Sequence, residues 1–382
     1  MRCPRCLNTD KQYFYKGSKG WYCRKCISFG RAMLEEEQEA VSLAPISEGS
    51  EEYVLQYPLT PLQAEVSHRC AELIQETNVL LHCVCGAGKT ELVVESIAQM
   101  LRQKKHVCFA IPRRQVVLEL EGRLKQYFPY AKVTAVCGGR TGDLTGDVIV
   151  CTTHQLFRPQ YRHAFDLLIL DEPDAFPFRG NEVLHGIAET ACRGTAIYLT
   201  ATPDDWLKAK LKNGTLQCLK LNRRPHGHDL PVPVIKTAPT FVLLILLVRW
   251  LKHHASPRMI FVPTIREAKL LHRFLKQFMD CFCCTSKTEN RDEVIELFRK
   301  TRNGIIVSTT ILERGVTVSG CDVCVFHADH GVFDEAGLIQ MAGRAGRTFQ
   351  YPDGDVLFLT SSRSALAEQC RREIQEANLC AA

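Results

Sequence analysis

The chain has no apolar run long enough to cross a membrane. The longest, 241–248, stops at Arg249, well short of the roughly 20 residues that a spanning helix needs. It is expected to be a buried helix opening a second lobe, with Thr240 as its N-cap. The opening Met-Arg-Cys-Pro does not read as a secretory leader, so none is expected, and no internal repeat is visible. A strong excess of charge is missing too. The net charge is +6 and the pI is near 8.5, below the range of small, strongly basic DNA-binding domains. The composition is compatible with a nucleic-acid partner without demanding one.

Cysteine, by contrast, is abundant, with nineteen in 382 residues. Four cluster near the N-terminus. The other fifteen are scattered through strand-like and helical stretches, as at Cys108, Cys151, Cys192 and Cys324. Scattered thiols without a leader read as reduced core residues of a cytoplasmic protein, not as a disulfide framework.

A chain of this length calls for two or three domains, and its texture changes accordingly. Residues 1–32 form a small cysteine module and 33–56 an acidic linker. From 57 to 222, buried strand-like runs (79–84, 107–111, 133–136, 148–151, 167–170, 196–199) alternate with helical patterns, notably 90–102 and 114–127. A Pro-rich linker follows at 223–239. A second alternating set fills 240–382, with strands at 258–262, 304–307, 323–326 and 356–359 and helices at 266–278, 289–302, 335–345 and 364–379. Continuous apolar strands alternating with helices specify an α/β fold, here two parallel-sheet lobes in tandem behind the cysteine module.

Four strings carry the chemistry. Gly86-Ala87-Gly88-Lys89-Thr90 lies between a buried strand and a helix, the context of a phosphate-binding loop. Backbone N–H groups and the helix N-terminus would wrap the phosphates of ATP; Lys89 would neutralise them, and Thr90 would ligate Mg²⁺. Cys83 takes the place of the usual first glycine. Asp171 and Glu172 end an apolar strand, where ligands of open α/β sheets sit; Asp171 suits Mg²⁺ and Glu172 the attacking water. Asp174 is expected to link to a coupling segment at Thr200-Ala-Thr202-Pro. Gln340-Met-Ala-Gly-Arg344-Ala-Gly-Arg347 sets two arginines three apart on one helical face, with Gln340 beside them.

The order and spacing of these strings resemble superfamily 2 nucleic-acid helicases, which implies RecA-like lobes. In that family such arginines reach the γ-phosphate as fingers, and a glutamine placed like Gln63, in Leu59-Thr60-Pro61-Leu62-Gln63, reads adenine. The resemblance also implies DNA contacts at Arg113 and Arg114, at Gly139 and Arg140, and at Thr153 and His154. In the second lobe it implies them at Thr264 and Arg266, and at Thr309, Thr310 and Arg314. Such contacts go mainly to phosphates. Thr317 stands where relatives often have Asp, and Met341 where many RNA-type relatives have Arg.

Cys3 and Cys6, then Cys23 and Cys26, make C-x2-C twice with sixteen residues between the pairs. Two such knuckles complete a tetrahedron of thiolates around a structural Zn²⁺, one per chain. Lys11, Lys16, Lys19, Arg24 and Lys25 are interleaved there with Tyr13, Phe14, Tyr15, Trp21 and Tyr22. The aromatics suit stacking on single-stranded bases, or serve as the only core of a small domain.

The module, the Ala-Gly-Lys-Thr-Glu loop, the Asp-Glu-Pro-Asp-Ala-Phe-Pro string and Thr-Thr-Ile-Leu-Glu-Arg-Gly-Val-Thr together resemble the ComFA-type late competence helicases of Gram-positive bacteria; Pro173 replaces their usual Val. The resemblance implies an ATP-driven single-stranded DNA translocase, cytoplasmic and peripheral at the inner face of the membrane. It would work with other cytoplasmic competence proteins and the membrane uptake channel to draw in transforming DNA. A primosome-restart or recombination helicase, and an ATP-switched DNA-binding scaffold, are the alternatives that the motifs leave open.

Overall fold

A computed structural model of the protein describes residues 1–35, 43–253, 256–313 and 318–380. The chain divides into two compact units, Met1–Cys83 with Lys89–Leu221, and Asn222–Ala382 with the short loop Val84–Gly88.

The first unit begins with the cysteine module, a small antiparallel sheet of β1 (Phe14–Gly17), β2 (Gly20–Cys23) and β3 (Ala32–Met33). The motor elements follow: α1 (Pro61–Leu73), β4 (Asn78–Cys83), α2 (Lys89–Leu92), α3 (Val94–Arg102), β5 (Val107–Ile111), α4 (Arg114–Tyr127), β6 (Val133–Val136), β7 (Val148–Thr152), β8 (Phe165–Asp171), α5 (Glu182–Ala191), β9 (Cys192–Thr200), α6 (Asp205–Lys212) and β10 (Leu216–Leu221). The strands form one parallel sheet in the order β10-β4-β9-β8-β5-β7-β6. The central strands β5 and β7 are buried at every position, which explains their unbroken apolar runs. The sequence points to six of these strands. The seventh, β10, lies at the sheet edge with its middle positions exposed, so it has no apolar run to reveal it. The helix expected over 90–102 is broken at Val93, which caps α3.

The module is not set apart from the rest of this unit. Cys6 O lies where a Cβ on Gly186 would stand, 2.1 Å away. Thr190 Oγ1 donates to Arg5 O at 3.0 Å, and Lys25 Nζ bonds Glu182 at 2.5 Å. Phe29 packs on Phe157 and His154, with ring centroids 5.2 and 6.2 Å apart. Part of the segment read as acidic linker also lies along this unit. Leu43 and Ile46 are buried, Ser47 N donates to Asp147 Oδ1 at 2.9 Å, and the Tyr53 ring meets Phe128. Gly186→Ala is therefore expected to unseat the module, because the methyl would overlap backbone that cannot swing aside. The cost should be about 1–3 kcal/mol, read as a lower Tm and faster proteolysis of residues 1–35. An unchanged Tm with unchanged protection would show that the module is not seated on α5.

The second unit contains β11 (Val234–Thr237), α7 (Thr240–His253), β12 (Arg258–Phe261), α8 (Ile265–Leu275), β13 (Cys281–Cys284), α9 (Arg291–Lys300), β14 (Ile305–Ser308), β15 (Asp322–Phe326), α10 (Glu335–Ala342), β16 (Val356–Thr360) and α11 (Ala365–Leu379). Its sheet is also parallel, in the order β11-β16-β15-β12-β14-β13, with an apolar layer on each face. β11 falls within the stretch read as a linker, and its residues are largely exposed at the edge. α7 corrects the expectation of a buried helix. Only Leu243, Leu247 and Leu251 are buried, while Phe241 and Ile245 are 67% and 62% exposed. Thr240 is the first residue of this helix, not its cap.

Candidate nucleotide site and nucleic-acid path

The site is assembled at the carboxyl ends of three adjacent strands, β4, β9 and β8. His82 on β4 pairs with Thr200 on β9, and Leu199 with Asp171 on β8. The loop 84–88, the segment Thr200–Thr202 and the Asp171-Glu172 pair therefore leave the sheet at one end. Gly86 and Gly88 have φ of +85° and +79°, a left-handed backbone that only glycine adopts without strain. Lys89 and Thr90 open α2. Glu172 also has a positive φ, +52°, uncommon for a residue with a side chain; its N–H donates to Leu199 O at 2.9 Å. Asp171 and Thr90 offer the hard oxygen donors that suit Mg²⁺.

The structure brings the coupling residues together. Asp174 is 2% exposed and accepts from Thr200 Oγ1 through Oδ1 and from Thr202 Oγ1 through Oδ2, the latter at 2.7 Å. His82, which the sequence reading passed over, joins the same segment, its Nε2 lying 3.0 Å from Ala201 O. Burial holds this imidazole below its ordinary pKa, so it is neutral at pH 7. A lone histidine in an apolar strand carries no sequence signal of that role.

Gln63 is buried at the third position of α1 and forms a capping box. Its Oε1 accepts from Thr60 N at 3.0 Å, and its own N–H donates to Thr60 Oγ1 at 3.3 Å. The carboxamide oxygen that would read adenine is thus engaged at the helix N-terminus.

In the second unit, Gln340 is buried and its Oε1 accepts from Cys85 Sγ at 3.1 Å. Arg344 is only 3% exposed; its Nε and Nη2 donate to Glu313 O at 2.8 and 2.6 Å. Arg347 is half-buried and donates through Nε to Gly343 O at 2.7 Å. A residue missed in the sequence holds this turn. Arg224, 2% exposed, donates to Gly343 O at 3.1 Å, Ala345 O at 2.8 Å, Gly346 O, and Cys85 O at 2.9 Å. Burial, then the neighbouring Arg347, lowers its pKa to about 10, which leaves it protonated at neutral pH. Its only sequence sign is the Arg-Arg pair that opens the Pro-rich stretch.

Among the residues expected on nucleic acid, Arg114 Nε donates to Gly138 O at 2.8 Å, tying α4 to the turn that holds Gly139, whose φ is +79°. Arg113 precedes α4 at the N-cap position. Arg140 pairs with Glu121 at 2.7 Å. Thr153 is 2% exposed, and its Oγ1 has no hydrogen-bond partner among the described residues; His154, next to it, lies against Phe29. Thr264 caps α8, accepting from Glu267 N at 3.1 Å, and Arg266 is exposed. Thr309 is nearly buried, and Thr310 begins a short 3-10 turn. Arg314 lies outside the described residues.

The four cysteines are all buried, and their sulfurs lie within 4.8 Å of one another. The Sγ atoms of Cys3 and Cys26, and of Cys6 and Cys23, are each 3.8 Å apart. That is the edge, about 3.8 Å, of a tetrahedron with zinc–sulfur bonds of about 2.3 Å, and far beyond the roughly 2.05 Å of a disulfide. The Cys26 thiol is pushed far up by Cys3 and Cys6 beside it, and then by burial; a cation is what would let all four ionise together. The donor set fits Zn²⁺, closed on all sides and therefore structural.

The fold and these motifs define the class: a two-lobed, nucleic-acid-dependent ATPase of the superfamily 2 helicases. Residues 56–205 match the family described as "Type III restriction enzyme, res subunit", and 241–349 match "Helicase conserved C-terminal domain". Among solved structures, Saccharomyces cerevisiae Dbp5 bound to RNA and ADP BeF3 is similar in fold, with a TM-score of 0.63 at 16% identity over 84% of this chain and 92% of that one. RecG bound to a three-way DNA junction gives 0.58 at 20% identity, over 89% of this chain and 48% of that one. More specifically, the chain belongs to the ComFA family of competence proteins. It is 34% identical to competence protein ComFA of Bacillus subtilis, over 100% of this chain and 86% of that protein. It is also 34% identical to ComFA of Streptococcus pneumoniae, over 98% and 90%. A Staphylococcus aureus transcription-repair-coupling factor is more distant, at 25% identity over 84% of this chain and 28% of that protein.

Proposed function

We propose that this protein is an ATP-driven translocase on single-stranded DNA that helps draw transforming DNA into the cytoplasm during competence. The observation that carries the reading is the match, over essentially the whole chain, to two competence proteins. The site supports the chemistry. Lys89 and the backbone N–H groups of 86–90 would hold the β and γ phosphates, with Thr90 and Asp171 as ligands of Mg²⁺. Bound there, Mg²⁺ would offset the phosphate charge. Glu172 would orient the attacking water and take its proton as the γ-phosphorus is attacked and ADP leaves. Asp174, bonded to Thr200 and Thr202, would pass changes at the γ-phosphate to β9. Zn²⁺ would hold the cysteine module. The DNA track would use Arg113, Arg114, Gly139, Arg140 and His154 in the first unit and Thr264, Arg266, Thr310 and Arg314 in the second. Other cytoplasmic competence proteins and the membrane uptake channel would be its partners, at the inner face of the membrane; no helix among the described residues is long and apolar enough to cross it.

The test is ATP hydrolysis measured side by side with no nucleic acid, single-stranded DNA, duplex DNA and RNA, on protein whose zinc content is known. Single-stranded DNA is expected to stimulate most, with one zinc per chain. Binding should weaken as salt rises, with little sequence preference, because phosphate contacts release counterions. Turnover indifferent to every nucleic acid would leave an ATP-switched scaffold in place of a translocase.

A further inference from the structure

The cysteine module carries more aromatic side chains than its core uses. Phe14 is buried with the four cysteines, and Trp21 and Phe29 pack against that cluster. Tyr13, Tyr15 and Tyr22 are left over, and of these Tyr15 and Tyr22 form a pair. They are direct cross-strand partners in the β1–β2 register, one position out of phase with Phe14 and Cys23. Both rings therefore lie on the face of the hairpin opposite the core. Tyr15 is 45% exposed. The Arg24 guanidinium sits 4.3 Å from the centroid of the Tyr15 ring, and that of Arg31 sits 5.2 Å from the Tyr22 ring.

Two other cations of the module are committed to the fold. Lys25 is taken up by Glu182, and Arg5 by the carbonyls of Phe29 and Gly30; both contacts hold the fold together. Arg24 and Arg31 pair with no carboxylate among the described residues, and both are exposed. Arg31 is also near a segment expected on nucleic acid. Phe29 packs on His154 and Phe157, and Arg31 lies two residues on, its Cα at most about 7 Å from that of Phe29.

We infer that Tyr15, Tyr22, Arg24 and Arg31 form a stacking surface for the bases of a single-stranded nucleic acid, continuing the path that runs over His154. The inference rests on the reading of the chain as a single-stranded DNA translocase. A duplex keeps its base faces stacked on one another, so only a single strand can lay them on tyrosine. Every base has a π-face, so the contact tolerates any sequence, as a translocase requires. The arginines beside the rings add positive charge for the backbone.

The test uses the full chain and a fluorescently labelled oligothymidylate, with affinity read by anisotropy. Tyr15→Ala with Tyr22→Ala should weaken binding by about tenfold or more per ring. Tyr15→Phe with Tyr22→Phe should bind nearly as wild type, because the ring does the stacking and not the hydroxyl. The alanine pair binding as tightly as wild type would overturn the inference, and so would the phenylalanine pair losing as much as the alanine pair. Should the alanine pair lose its zinc or its Tm, photocrosslinking decides on unmodified protein. An oligonucleotide carrying 5-iodouracil should form adducts at Tyr15 or Tyr22; adducts confined to other peptides would overturn the inference. A wild-type protein that binds no single strand at all would instead remove the translocase reading beneath it.

Discussion

Lys89→Ala is expected to abolish ATP hydrolysis, and Glu172→Gln to bind ATP and stall before cleavage. The two substitutions fail for different reasons. Lys89 follows a loop whose glycines, with φ of +85° and +79°, let the backbone curl around an anion. Without its ammonium group the loop loses its own positive charge on that anion, and both nucleotide affinity and turnover should fall. Glu172 sits one residue past the end of β8 with a positive φ, a conformation that costs free energy. An amide there keeps the shape and cannot accept a proton from water. Nucleotide binding measured by fluorescence, beside phosphate release, separates the two effects. Wild-type turnover in either variant would remove this site assignment.

Arg347→Ala should lower kcat by a factor on the order of 10³ with little change in nucleotide affinity, the signature of an arginine finger that acts on charge developing in the transition state. Arg344→Ala should also lose turnover, with a second symptom. Its guanidinium is buried and satisfies Glu313 O through two nitrogens. Its removal takes both of those donors from the carbonyl, at a cost of about 1–3 kcal/mol, so Tm should fall with activity. Arg347, engaged only through Nε among the described residues, should show no such loss of stability. A rise in KM alone for Arg347→Ala would make it an ordinary binding contact.

The central strands of both sheets are legible because they are buried on both faces and written as unbroken apolar runs. The phosphate loop and the Asp171-Glu172 pair are legible because each follows such a run directly. What the sequence hides depends on contacts made far along the chain. β10, β11 and β13 lie at sheet edges, where β10 exposes half of its residues and β11 most of them, so the apolar pattern thins out. The exposed face of α7 cannot be told from a buried one in a run of leucine, isoleucine and phenylalanine. Thr153 reads as a polar contact residue, yet it is buried in the 3-10 turn that follows β7. Arg224 looks like linker, and only the folded turn 343–346 shows what its guanidinium holds. The seat of the cysteine module on α5 rests on a glycine that nothing nearby in the sequence marks.

That seat also sets an order of events during synthesis. Arg5 is bonded to Thr190, 185 residues later in the chain. At about 5–20 residues per second, ribosomes need on the order of 10–40 s to cover that interval. Throughout it, the newborn module has no docking partner and too few residues to bury a core of its own. Capture of metal by the emerging thiolates is what would keep it folded while it waits. The module is thus made well before the helix that seats it, and zinc supply during translation would decide how many chains complete it.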